Sequence, residues 1–192
     1  MKISNYKAIA IGVSAGGLNA LSILLASLPA DFPIPIIVTQ HRLAAKDNLM
    51  TSILNKIIQL KVREAEDKDN LEPGWVYLAP PDYHLLIESK KTISLSCEDK
   101  VNFARPSIDV LFESAARVWD SELIGVILTG SSFDGSLGMV QIKESGGLTI
   151  AEDPETAEYA MMPKSSINTG SIDHVLSLSK ISEFINNLVK MN

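Results

Sequence analysis

The chain has 192 residues, 46% of them hydrophobic and 21% charged, which suits one domain with a sizeable core and excludes a disordered chain. A net charge of −6 with no long basic run speaks against a general nucleic-acid surface, where clustered Lys and Arg neutralise phosphates. A single cysteine, Cys97, excludes an internal disulfide and a cysteine zinc cluster, and the first apolar stretch is too short to cross a bilayer, so the chain reads as cytoplasmic and not membrane-inserted.

Ala8–Val13 is a continuous apolar run, the mark of a strand buried on both faces. The turn Ser14-Ala15-Gly16-Gly17 follows. Leu18, Leu21, Leu24, Leu25 and Leu28 then recur at helical spacing until Pro29. Ile34–Thr39 predicts a second buried strand running into Gln40 and His41, and a helix is expected over about Asp47–Leu60. The charged stretch Arg63–Asp69 reads as a solvated loop. Pro73-Gly74, Pro80-Pro81 and the runs Trp75–Leu78, His84–Ile87 and Thr92–Leu95 read as a hairpin-rich β insert. Ser107 is the expected N-cap of a helix reaching about Val118. Leu123–Leu128 is a third buried strand, Thr129–Gly138 a loop opening a helix that ends at Gly146-Gly147, and Leu148–Ala151 a fourth strand. A turn-rich segment around Pro163 and an amphipathic helix near Ser179–Val189 complete the chain. The alternation predicts an α/β fold in one domain over residues 1–192: a doubly wound, mainly parallel sheet flanked by helices, with a β-hairpin insert.

Ligands of open α/β sheets bind beyond the carboxyl ends of the strands. Three chemistry-bearing residues fall there: Ser14 after the first strand, His41 after the second, and Asp134 after Leu123–Leu128. Gly12-Val13-Ser14-Ala15-Gly16 matches G-x-S-x-G between a strand and a helix, where small neighbours allow a sharp turn exposing a hydroxyl. The helix that follows offers free N–H groups to an oxyanion. The same turn can equally be a structural or phosphate-binding glycine turn, His41 a hydrogen-bonded loop residue, and Asp134 an N-cap. Convergence of a nucleophile, a base and an acid on one edge favours a triad. Its order, Ser, His, Asp, differs from that of the α/β-hydrolases. His84 and His174 read as structural or surface residues.

Several blocks in order then resemble the catalytic domain of protein-glutamate methylesterases, the CheB family: residues 11–17, Thr39-Gln40-His41, residues 72–81, residues 105–112, Leu128-Thr129-Gly130 with Asp134-Gly135, and Met162-Pro163-Lys164. The resemblance implies Ser14 as nucleophile, His41 as general base and acid, Asp134 as the residue orienting His41, and backbone N–H groups at Ala15 and Ser131 as the oxyanion donors. It further implies hydrolysis of glutamate γ-methyl esters on receptor signalling helices with release of methanol, and deamidation of glutamines. Neither cofactor nor metal is called for. A separate regulatory protein is a further expected partner; nucleic acid is not one.

The match has departures. Family members often carry Thr at the position of Ala15, His at Ala104, Met at Ser131, and Met-Pro where this chain has Arg42-Leu43. The triad positions are untouched, while the pocket differs. The family's N-terminal receiver domain is not in this sequence, so an open, constitutively active site is expected. Two rival readings are a nucleotide- or phosphoryl-binding module and a non-catalytic interaction domain. The first lacks a P-loop Lys-Ser/Thr pair, the second glycine of G-x-G-x-x-G, and an acidic residue after the second strand.

Overall fold

The computed structural model describes residues 5–42 and 49–190. In chain order the elements are β1 (Ala8–Val13), α1 (Gly17–Ala26), β2 (Ile36–Gln40), α2 (Leu49–Ile57), β3 (Lys61–Glu64), β4 (Trp75–Leu78), β5 (His84–Ser89), β6 (Thr92–Ser96), α3 (Ile108–Trp119), β7 (Leu123–Ile127), α4 (Ser136–Glu144), β8 (Leu148–Glu152), α5 (Met161–Ile167), β9 (His174–Leu176) and α6 (Leu178–Lys190). Seven strands form one parallel sheet in the order β3-β4-β2-β1-β7-β8-β9, and β5 pairs antiparallel with β6 as a separate hairpin. The expected parallel α/β architecture with a hairpin is therefore present. The chain leaves β1 toward β2 and later returns to its other side as β7, so a crevice opens between the ends of β1 and β7.

Side chains alternate across a strand, and here the two faces differ in size. Ile9, Ile11 and Val13 of β1 join Ile36, Val38, Ile124 and Val126 in an aliphatic core under α1, α2 and α6. Ala8 and Ala10 face the other way, into a core with Ile108, Phe112 and Trp119 of α3. Gly12 continues that small-residue row. A Cβ there would lie 2.3 Å from Ile108 Cγ2 and 3.1 Å from Phe112 Cζ. The small row lets the start of α3 settle almost onto the sheet.

Four local expectations need correction. Trp75–Leu78 is not part of the hairpin insert; it is β4, an interior strand of the main sheet between β2 and β3. Arg63–Asp69 is not wholly a loop, because Arg63 and Glu64 belong to the edge strand β3. A charged strand is tolerated there since only Val62 needs burial, while Lys61 Nζ lies 5.1 Å and Arg63 Cζ 5.2 Å from the Trp75 ring, shielding it from water. Of the helix expected over Asp47–Leu60, Asp47 lies outside the described residues, and α2 stops at Ile57 so that Leu60 can be buried just ahead of β3. The segment around Pro163 is the short helix α5, which accepts proline in its first turn where no N–H partner is needed.

Candidate active site

The parallel ladders run out to the residues of interest. Beyond the last regular pair, His41 N–H donates to Val13 O at 3.0 Å, and Ser14 N–H donates to Thr129 O at 3.0 Å. Ser14 is thus gripped from both neighbouring strands as the chain turns into α1. A single amide ties the two ends together: Gln40 Nε2 donates to Ser14 O at 2.7 Å and to His41 O at 2.9 Å. Thr129 adds a brace across the crevice, its hydroxyl donating to Ala15 O at 3.0 Å while its own N–H donates to the buried Glu152 carboxylate at 2.8 Å. Burial raises the Glu152 carboxyl above its ordinary value, against the lowering effect of that N–H.

The structure brings Ser14, His41 and Asp134 into one hydrogen-bonded line. His41 Nδ1 lies 3.2 Å from Ser14 Oγ, and Nε2 lies 2.7 Å from Asp134 Oδ2. Ionised Asp134 can only accept, so the imidazole proton sits on Nε2 and Nδ1 is left as an acceptor for the Ser14 hydroxyl. Asp134 is fully buried, whereas the His41 side chain is 16% exposed. His41 therefore meets solvent and substrate from the open side only.

Asp134 is not an N-cap by side chain; Gly135 holds that position of α4. Its carboxylate points instead at the start of α3. Ile108 N–H donates to Oδ2 at 2.6 Å, Ser107 Oγ donates to Oδ1 at 2.8 Å and Asn102 Nδ2 to Oδ1 at 2.9 Å. The helix dipole adds to this cradle. Burial alone would raise the Asp134 carboxyl, but the bonds from His41, Asn102 and Ile108 and the charge of His41 outweigh it and hold it below its ordinary value. Ser107 occupies the predicted N-cap position of α3 without capping through its side chain. Its hydroxyl donates to Asp134, and the Ile108 and Asp109 N–H groups at the start of the helix donate to that same carboxylate, which caps α3 from a distant loop.

Asp109 lies one residue further into α3, buried, with Asn102 Nδ2 at 2.7 Å from its Oδ2 and Gly138 N–H at 2.7 Å from its Oδ1. Asn102 therefore bridges two buried carboxylates. Burial, helped by the Asp134 charge, pushes the Asp109 carboxyl up to about 6 against the hydrogen bonds from Gly138 and Asn102. Gln40, Asn102, Ser107 and Asp109 carry no periodic or spacing signal for these roles. They occur in the blocks or beside them, yet what they touch depends on where distant strands end.

Both expected oxyanion donors border the crevice. The N–H groups of Ala15 and Ser131 have no hydrogen-bond partner among the described residues, while their neighbours Ser14 and Gly130 are tied down. A Cβ on Gly130 would lie 2.8 Å from Ser14 Cβ, so the 129–131 turn passes directly over the serine. A cavity of about 830 Å³ opens here, lined by Ser14, Ala15, Leu18, Gln40, His41 and Ile53 among others. His84 is buried away from it, accepting Ser107 N–H on Nδ1 at 3.2 Å and contacting Asp99 O through Nε2 at 3.0 Å, and His174 packs on Phe184. No group of three or more His, Cys, Asp or Glu among the described residues is placed to hold a metal ion. Of the departures noted in the sequence, Leu43 lies outside the described residues. Arg42 pairs with Glu64 and donates to Ala79 O at 3.0 Å.

A parallel α/β sheet carrying a serine, a histidine and an aspartate in hydrogen-bonded sequence at its carboxyl edge has the arrangement that a serine hydrolase's triad requires. Residues 9–185 match the family model described as CheB methylesterase, and the chain belongs to that family. It is 53% identical over 188 residues to a protein of Leptospira interrogans provisionally named protein-glutamate methylesterase/protein-glutamine glutaminase, covering 98% of this chain and 97% of that one. A Thermotoga maritima protein-glutamate methylesterase/protein-glutamine glutaminase is 40% identical over 186 residues, and there the chain spans about half of the relative's length, 54%. The crystal structure of the Thermotoga maritima CheB methylesterase catalytic domain superposes with a TM-score of 0.92 at 40% identity, covering 96% of this chain and 99% of that one. The Gly12–Gly17 turn thus falls in a family of esterases and not of nucleotide-binding modules. Among the described residues no helix is long and apolar enough to cross a membrane.

Proposed function

We propose that this chain, acting as one catalytic domain, hydrolyses glutamate γ-methyl esters on the signalling helices of chemoreceptor-type proteins in the cytoplasm. Ser14 Oγ attacks the ester carbonyl as His41 Nδ1 takes its proton, and Asp134 stabilises the imidazolium that forms. The N–H groups of Ala15 and Ser131 hold the oxyanion. The tetrahedral intermediate collapses, the C–O bond to the methoxy group breaks, and His41 returns the proton so that methanol leaves. Water, deprotonated by His41, then attacks the acyl-Ser14 ester and releases glutamate. A glutamine side chain passes through the same acyl-enzyme with ammonia as the leaving group, which accounts for deamidation. A separate regulatory protein is a candidate second partner.

The single observation that carries this reading is the unbroken hydrogen-bonded line from Ser14 Oγ through His41 to Asp134 at the mouth of the 830 Å³ cavity. The test is methanol release from a methylated receptor fragment, with formation of an acyl-enzyme at Ser14 followed by mass spectrometry. Turnover in the Ser14→Ala variant above about a tenth of wild type would overturn the assignment.

A further inference from the structure

A second cavity, about 510 Å³, lies on the other side of His41 and is lined by Arg42, Asp82, Lys100, Phe103 and Ser132 among others. Phe103 is its unusual member. Val101 and Ala104 exchange both backbone hydrogen bonds, 3.2 Å and 2.9 Å, closing a two-residue turn. The two central residues, Asn102 and Phe103, have φ of 51° and 62°. Such turns favour Asn followed by Gly, because both positions need left-handed backbone. Asn102 suits its place, and its side chain is fixed to Asp109 and Asp134. A phenylalanine in the glycine position is strained, and this one gains nothing from burial: it is 91% exposed. A large apolar side chain held in an unfavourable backbone, exposed, and one residue from the group that clamps the triad aspartate points to a contact made outside the chain.

The charges around it indicate the partner. The protein as a whole carries −6, yet this cavity gathers Lys100, Arg42 and Arg105 against Asp82. Arg42 is paired with Glu64, and Arg105 is spent on the carbonyls of Cys97 and Glu98. Lys100 has no partner among the described residues. An acidic segment would be repelled by most of the surface and drawn here.

On the esterase reading above, we infer that Phe103 and Lys100 form a specificity-determining anchor: Phe103 packs on the apolar side of the acidic helix that carries the ester, and Lys100 meets a neighbouring carboxylate, seating the helix over Ser14. Neither residue touches the reacting atoms. The anchor therefore lowers KM for a macromolecular substrate and leaves a small ester unaffected.

The test compares a methylated receptor fragment with a capped single-residue glutamate γ-methyl ester. Phe103→Ala and Phe103→Gly are expected to raise KM for the fragment about tenfold with kcat retained, and to leave kcat/KM for the small ester unchanged. Phe103→Leu should restore most of the loss, and Lys100→Glu should raise KM for the fragment alone. The Phe103→Gly chain should also melt about 2–4 °C higher, since glycine relieves the backbone. Equal losses on both esters would overturn the inference by showing that Phe103 merely supports the triad, and no change on either would overturn it by showing that nothing docks there. Wild-type protein inactive on both esters would sink the esterase reading itself, a result distinct from either.

Discussion

The two faces of the central sheet are built to different rules. Under α1, α2 and α6 the core is almost wholly Ile, Leu and Val, and β1 contributes the large side chains of Ile9, Ile11 and Val13 to it. Under α3, β1 presents Ala8, Ala10 and Gly12, and α3 comes close enough for its first N–H groups to reach a residue on the loop after β7. The first face supplies stability that any well-packed apolar set could supply. The second carries packing to the candidate site, because the depth at which α3 sits fixes Asp134, Asp134 fixes His41, and His41 Nδ1 meets the Ser14 hydroxyl. Small residues in a strand thus act at a distance on a hydroxyl they never touch.

Substitution at the end of that chain should have the largest effect. Ser14→Ala and His41→Ala are expected to lower kcat on the order of 10⁴-fold or more, without additivity in the double variant, while circular dichroism and melting stay near wild type. Methanol release measured beside thermal melts checks this.

The comparison of faces is broken most directly with one substitution on each. Gly12→Ala puts a methyl 2.3 Å from Ile108 Cγ2, so α3 must lift and draw its N–H away from Asp134. The expected outcome is a loss of about 10²-fold in kcat, since an ångström of misplacement is enough, with about 1–3 kcal/mol of destabilisation from overpacking. Leu25→Ala, fully buried on the other face, should cost more stability, about 2–5 kcal/mol, and leave kcat per folded molecule unchanged. Equal kcat losses in the two variants, measured below both melting transitions, would refute the division of labour.

A smaller effect is expected at Asn102. Alanine there removes one of the bonds that hold Asp134 and leaves the rest of the cradle, so kcat should drop about tenfold. The double variant with Asp109→Asn should be non-additive, because Asn102 contacts both carboxylates.

The smallest effect sharpens the comparison through pH. The Asp109 carboxyl stands at about 6 in the folded chain against 3.8 for the free group, so the folded state binds this proton more tightly than the unfolded state. Its contribution to stability is greatest below about pH 4 and is lost as pH rises through about 6. Urea unfolding should show a decrease on the order of 1–2 kcal/mol from this source between those limits. Replacing Asp109 by Asn should remove that slope, whereas no group in the aliphatic core of the other face can produce one.

The hydrophobic runs Ala8–Val13, Ile34–Thr39 and Leu123–Leu128 were sufficient by themselves to announce buried parallel strands, and the rule for strand ends then selected Ser14, His41 and Asp134. Those residues were legible because each sits next to a strong local signal. Strand β3 is not legible, because its charges are masked by aromatic rings of a neighbouring strand, and β4 is ambiguous because a short run bounded by Pro-Gly looks the same in a hairpin and in a sheet interior. The cradle of Asp134 was beyond sequence reasoning for a firmer reason. Ser107, Asn102 and Asp109 act through contacts 25 or more residues away, and their partner is set by how deeply α3 rests on the glycine and alanine row of β1. Local pattern determines which segments are buried. The distance between two buried segments depends on every side chain between them, and that sum exists only in the folded molecule.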